Sequence, residues 1–508
     1  MRVLFFNDPL GAAKSPEDAF SRVKPGIIKP DERTPRSMTV AAVTRLPKPP
    51  FLVPAVIEAL RNSQDWAPLI QVVPGEADIF CAQDVRHNGG IVLTSDSDLL
   101  VQDLGADGRV SFFWDVEYIS SAALSTSMYS FHDINDQLGV RDVGGLPRVV
   151  FEQITDRIAF DAAVRKAKEN NGDTLTSPGY LSFVKGHQVN DAILTDDATL
   201  AAISNLDPRI SEIVIQTIIM RESGWTPGTP SKRESRGPKV LSMFLPTMTE
   251  NRGIKSCWMA STETRKIAYG VLQTLSPRRS ENIIEYRTLD RSNDHNGRRL
   301  DIPWELDTMD GCKRLVATLG NLKKRLPSPG MQWLAFAILQ DVEVSAEDER
   351  VSLSAILLSQ ANLPSIDAHE YSWDLIHYTA QVQASYYSLR MARQILDAVA
   401  ALGQDLPKPF RELRESLASL PLIADWPTIE DMPSLLSIFK SQDALNIVTD
   451  VLGVPRINLD QVLAESTGPK RHKRKQQSDA GGNNGGGNGM KRSPSLNPFA
   501  ILSSSSQE

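Results

Sequence analysis

The chain has 508 residues, 41% of them hydrophobic, which is enough for two folded units with buried cores, and its net charge is -7. Residues 466–508 carry seven Lys/Arg against two Asp/Glu, a surplus of +5 that leaves -12 on the remainder, which argues against a broad phosphate-binding surface on the body and leaves local basic strips or metal-mediated contact for any nucleic acid. Cys81, Cys257 and Cys312 are too far apart in sequence for a disulfide framework or a zinc site, and no stretch approaches the roughly 20 consecutive apolar residues of a membrane helix.

In chain order, "RVLFF" (Arg2 to Phe6) predicts a buried strand stopped by Asn7, Asp8 and Pro9. "LPKPP" (Leu46 to Pro50) leads into a predicted helix over 54–62, and "LIQVV" (Leu69 to Val73) predicts a second strand. Pro74-Gly75 turns the chain. Ala77, Cys81 and Val85 then recur every four residues as the buried stripe of a helix, which Asn88-Gly89-Gly90 ends, because Gly and Asn accept the left-handed conformation of a helix C-cap. "IVLT" (Ile91 to Thr94) predicts a short apolar strand. Strand, helix and strand joined this tightly suggest a βαβ unit with parallel strands and a right-handed crossover.

Residues 118–219 read as mixed and mostly helical, and "GWTPGTPSKRESRGPK" (Gly224 to Lys239) has the composition of a linker. Beyond Leu241 helical patterns dominate: "TRKIAYGVLQTL", "GMQWLAFAILQDV", "AQVQASYYSLRMARQILDAVAAL" and "MPSLLSIFKSQDALNIVTDVLG". Tyr386, Tyr387 and Met391 have core spacing. Arg278, Arg279, Arg287, Arg291, Arg298 and Arg299 alternate with Glu281, Glu285, Asp290 and Asp294, a balance that reads first as a solvated surface. The His132-Asp133 pair lacks companion histidines and reads as a helix start.

The chemistry-bearing stretch is "VPGEADIFCAQDVRHNGGIVLTSDSDLL" (Val73 to Leu100). Glu76 and Asp78 precede its apolar run, and Asp96 and Asp98 follow it. On an extended strand end, residues two apart face the same side, so Asp96 and Asp98 can address one site. Glu76 and Asp78 converge only if Glu76 lies in the turn before the helix. In open α/β sheets ligands gather beyond the carboxyl ends of strands, where Asp8, Glu76, Asp96 and Asp98 are expected. Four carboxylates brought together would repel unless a divalent cation lay between them. The alternative is structural: Glu76 and Asp78 at the positive end of a helix dipole, Asp96 and Asp98 as solvated turn residues.

"GEADIFCAQDVRHNGGIVLTSDSDLL" resembles the internal motif of the XPG/flap endonuclease superfamily, a Gly-Glu-Ala-acid helix start followed by a strand ending in Thr-x-Asp-x-Asp. The resemblance implies an α/β fold with a PIN-like (XPG-I) parallel-sheet domain at 1–220, and composition and helical patterning add a linker at 221–240, a mainly α-helical C-terminal region at 241–462 and a disordered, basic, Gly/Asn/Ser-rich tail at 463–508. It implies that Glu76, Asp78, Asp96 and Asp98 are catalytic and, with Asp8, bind two Mg²⁺ or Mn²⁺ ions. At the position after Asp8 the family usually has Gly, where this chain has Pro9. "FLPTMTENRGIKSCWMASTETRKIAYGVL" and "IIEYRTLDR" are similar to the region after the nuclease-like domain in Asteroid-type proteins, especially fungal ones.

The family's first strand, with its own Asp, should precede "RVLFF", so the N-terminus is expected to be truncated. "DINDQLGVRDVGGLPRVVFEQI" does not match the family's duplex-gripping element. The implied function is divalent-metal-dependent, structure-specific cleavage of nucleic acid, branched or single-stranded DNA. The alternative is a catalytically degenerate nuclear scaffold. "PKRHKRK", with Lys470, Arg471, Lys473, Arg474 and Lys475, predicts a nuclear localisation signal.

Overall fold

The computed structural model describes residues 3–5, 50–73, 77–120, 123–169, 172–186, 197–222, 240–251, 253–276, 279–287, 297–326, 328–360 and 371–467. The expected linker at 221–240 and the basic tail fall largely outside these residues. Strands run in chain order as β1 (Val3–Phe5), β2 (Ile70–Val72), β3 (Gly90–Thr94), β4 (Gly108–Phe112), β5 (Glu117–Ser120), β6 (Ala123–Ser125), β7 (Leu241–Phe244), β8 (Asn282–Tyr286) and β9 (Arg298–Asp301). The chain is mostly helical with small parallel sheets, an α/β PIN-like domain followed by a helical C-terminal region. No helix among the described residues is long and apolar enough to cross a membrane.

Among the described residues, packing divides the chain into two units, a smaller one within 76–194 and a larger one made of residues up to 73 and from 197 to 467.

In the smaller unit, β3 and β4 pair in parallel with Gly90 opposite Gly108 and Thr94 opposite Phe112. A parallel pair needs a crossover, and residues 95–107 supply it with the 3₁₀ turn Ser97–Val101 and two buried leucines, Leu99 and Leu104. Gly108 is required there, because a Cβ at that position would overlap the Leu104 carbonyl oxygen. The helix Ala77–Asn88 covers the pair through Ala82 and Val85, which join Val92, Leu99, Leu104, Val110 and Phe112 in one cluster. Cys81 is only half-buried, so the stripe sits one residue further round than the four-residue spacing predicts. Gly89 and Gly90 have φ of 69° and 115°, as the C-cap reading requires.

The predicted βαβ unit is corrected in one respect. β2 and β3 have different parallel partners, β1 for the first and β4 for the second. β5 and β6 form a hairpin, and the helices Phe131–Leu138, Gly145–Asp156 and Phe160–Lys168 pack around Val140, Leu146, Val149, Ala163 and Ala167. His132 lies in the first turn of its helix, which Ser130 caps by accepting the Asp133 N–H at 3.3 Å.

The larger unit has one continuous core. Its longest helix, Trp373–Ala401, is buried along most of its length and carries Tyr386, Tyr387 and Met391 into that core, as their spacing predicts. The helices Thr262–Leu272, Glu305–Arg325 and Pro329–Glu347 join the same core. The stretch predicted as helical from Met432 is two helices, Met432–Ser441 and Ala444–Leu452, broken at Asp443, whose φ is 51°. Leu52–Arg61 belongs here too: Phe51 packs on Trp426 and Tyr387, and Glu58 pairs with Arg390 and accepts the Ile423 N–H at 2.8 Å.

The sheet β7-β8-β9 was not expected. β7 is parallel to β8 and β9 antiparallel to it. The inward face of β8 presents Ile283 and Glu285, both fully buried, and a carboxylate in an inward position disguises the alternation that marks a strand.

That carboxylate also corrects the reading of the arginine series as solvated. Glu285 accepts from Arg265 Nε at 2.6 Å and Nη2 at 3.0 Å, from Tyr269 Oη at 2.9 Å and from Arg287 Nη2 at 2.7 Å. Arg265 is itself fully buried, stacked over Trp258 and donating to Ser261 Oγ and the Trp258 carbonyl. Arg279 lies over the Trp304 ring. Arg278, Arg291, Asp290 and Asp294 are outside the described residues.

Candidate metal centre

Asp78 sits in the first turn of the helix Ala77–Asn88, where the helix dipole favours a carboxylate, and is half-buried. Asp96 lies just past the carboxyl end of β3. Its backbone N–H donates to Thr94 Oγ1 at 2.9 Å, and its Oδ1 accepts the Asp98 N–H at 3.0 Å. The pair of bonds caps the 3₁₀ turn Ser97–Val101 and fixes the Asp96 carboxylate without consuming its second oxygen. Leu99 and Val101, buried directly beneath, anchor the turn.

Asp96 is exposed and Asp98 half-buried. The structure therefore places the two acids on a 3₁₀ turn just past the parallel strand, and not on an extended strand end, with Asp98 tied to Asp96 through its backbone N–H. It also gives Asp96 the turn-capping role of the alternative reading, and one side chain can serve both. Among the described residues no group of three or more His, Cys, Asp or Glu side chains is placed to hold a metal ion. Glu76 and Asp8 lie outside the described residues, as do Lys470, Arg471, Lys473, Arg474 and Lys475.

The donor set fits a hard divalent cation in its chemistry, since every member offers carboxylate oxygen and none offers sulfur or imidazole. Asp103 pairs with Arg86 at 3.4 Å and approaches His132 at 4.0 Å, the three side chains being 40–59% exposed.

Sequence reasoning missed two sets of residues. One is the buried Arg265, Glu285 and Arg287 group. Burial alone would push the Glu285 carboxyl up, but Arg265 and Arg287 outweigh it and hold the group at about 2. The other lines a cavity in the larger unit, drawn from residues 253–260, 344–356 and 374–381. Three segments so far apart leave no local spacing to read.

Residues 48–302, half of the chain, match the family described as XPG domain containing. The chain belongs to that family, and so to an XPG-like superfamily whose fold is nuclease-like. The matched region takes in Asp78, Asp96 and Asp98 and extends through the sheet β7-β8-β9. No curated protein and no solved structure matches the chain.

Proposed function

We propose that this chain is a divalent-metal-dependent, structure-specific nuclease that hydrolyses phosphodiester bonds in branched or single-stranded DNA. Glu76, Asp78, Asp96 and Asp98, joined by Asp8, would hold Mg²⁺ or Mn²⁺. The observation that carries this reading is the fixed Asp96–Asp98 pair just beyond the carboxyl end of a parallel strand, inside the family-matched region. When bound, a pair of such ions supplies an activated water and stabilises the leaving oxygen of an in-line displacement. The chain's own contribution is to orient Asp96, through Thr94 and the Asp98 N–H, so that its free oxygen needs little reorganisation to meet a cation. The motifs "FLPTMTENRGIKSCWMASTETRKIAYGVL" and "IIEYRTLDR" support an Asteroid-type member, and the basic run at 470–475 supports a nuclear location.

The test is cleavage of flap and single-stranded DNA by full-length protein with Mn²⁺. Wild-type protein is expected to cut, and the Asp96→Ala/Asp98→Ala double variant to lose cleavage. Equal cutting by both would show that the acids at this strand end are not the catalytic ones.

A second reading, a catalytically degenerate nuclear scaffold, is motivated by the acidic body and by the stretch at 133–154, which does not match the family's duplex-gripping element. Calorimetric titration separates the two, since a scaffold of this kind would take up neither Mg²⁺ nor Mn²⁺.

A further inference from the structure

Three arginines of the larger unit gather on one carboxylate. The β8–β9 register sets Arg298 directly opposite Glu285, on the face of β9 that also buries Leu300. Glu285 has nothing left to offer it, since one oxygen accepts from Arg265 and Tyr269 and the other from Arg265 and Arg287. Glu263, the other nearby acid, is 76% exposed and pairs with Lys266 at 2.8 Å. Three guanidinium groups against one buried carboxylate leave a surplus of two positive charges.

Arg298 spends its charge on a thioether. Its Nη1 donates to Met259 Sδ, and Arg287 Nη1 donates to the same sulfur at 3.1 Å. Two guanidinium groups thus converge on one neutral, weak acceptor. Among the described residues no oxygen accepts from Arg298. Burial and then the charge of Arg287 hold the Arg298 guanidinium below its ordinary range, so an anion placed here would be met by groups that lack one. Paired guanidinium forks are the side chains best matched to phosphate oxygens.

The position can be reached. Arg298 and Met259 are half-buried, not sealed, and Arg287 keeps 11% of its side chain exposed. Met259 has three rotatable side-chain bonds and also lines the cavity of about 760 Å³ formed with residues 344–356 and 374–381, which has room for the side chain once it swings away.

We infer that Arg287 and Arg298 form a binding site for a phosphate dianion, a free phosphate or the terminal phosphate of a larger molecule, whose oxygens replace Met259 Sδ between the two guanidinium groups. A phosphate monoester carries about two negative charges at neutral pH and answers the surplus, whereas a phosphodiester carries one and does not. The site uses no residue assigned to the metal-dependent chemistry, so either reading can fail without the other.

The probe is inorganic phosphate, titrated calorimetrically into full-length protein at neutral pH without divalent metal. Wild-type protein is expected to take it up saturably, and Arg298→Gln at least about tenfold more weakly at an unchanged melting temperature, tenfold corresponding to roughly 1.4 kcal/mol. Arg298→Lys, which keeps the charge and loses the fork, should fall between the two. Met259→Ala removes the competing sulfur and should tighten uptake about threefold, a gain that a merely structural role for Arg298 would not produce. Displacement of the phosphate by a 5′-phosphorylated but not a 5′-hydroxyl oligothymidylate would place it at a strand end, and displacement by neither would make it a small free phosphate, both within the proposal. The inference is overturned if the wild type takes up no phosphate, if Arg298→Gln takes it up equally, if Met259→Ala fails to tighten it, or if the 5′-hydroxyl strand displaces it, since diesters would then suffice.

Discussion

The two units differ in how their apolar and charged groups are disposed. In the smaller unit the described core is divided between a cluster under the β3-β4 pair and another among the helices after Ser130, while Ile91 and Leu93 of β3 remain 53% and 44% exposed. In the larger unit a single core runs from Phe51 to Val448 and closes over an ion cluster at Arg265 and Glu285 with no exposure at all. The contrast teaches that stability and candidate chemistry are lodged in different places. The strand end carrying Asp96 and Asp98 rests on a small core that a charged ligand could order further, whereas Arg265 and Glu285 of the larger unit are hydrogen-bonded to each other and to neighbouring groups inside the protein.

The sharpest way to break this comparison is at Glu285. Glu285→Ala leaves Arg265 buried without its partner and should cost about 3–5 kcal/mol in denaturant unfolding. A loss under about 1 kcal/mol would mean that the cluster is solvated in solution and that the contrast is false. Leu99→Ala comes next, at about 2–4 kcal/mol. Hydrogen exchange should localise its effect to residues 76–194 if the smaller unit unfolds on its own, and equal loss of protection throughout residues 195–467 would argue against separate units.

Acid sharpens the comparison further. Glu285 titrates at about 2 in the folded chain against an ordinary 4.5, so the unfolded chain takes up this proton first as pH falls. Its stabilisation is present above about 4.5 and is lost progressively toward about 2, and Glu285→Gln should flatten that part of the stability profile. An unchanged slope between pH 4.5 and 2 in Glu285→Gln would count against the assignment.

The smallest effect is expected at Asp96. Asp96→Ala removes the acceptor that caps the 3₁₀ turn and should cost about 1 kcal/mol or less, whereas Asp96→Asn keeps an oxygen in that place and should cost almost nothing. Equal destabilisation by the two would show that the cap is not what holds the turn.

Much of this was legible in the sequence wherever the pattern was local. The helix Ala77–Asn88 with its glycine stop, strand β3 and the paired acids after it, and the buried face of the long helix carrying Tyr386 and Tyr387 all follow from spacing over a few residues. What could not be read depended on distant partners. β2 and β3 take separate partners, which no flanking residue announces. Glu285 looks like a surface acid until Arg265, twenty residues earlier on a different element, is seen to meet it. The cavity at Gln381 combines three segments whose only common property is where they end up. Convergence of Glu76 and Asp8 with the Asp96–Asp98 pair is implied by the resemblance alone, and Asp8 precedes the family-matched residues 48–302.

Calorimetric titration of Mn²⁺ into the wild type and into Asp96→Asn/Asp98→Asn tests the central claim most directly, because the double amide keeps the turn's hydrogen-bonding shape and removes only the charge. The account predicts saturable uptake by the wild type and at least about tenfold weaker uptake by the variant at unchanged stability, tenfold corresponding to roughly 1.4 kcal/mol. Equal uptake by both, or none by the wild type, would contradict it.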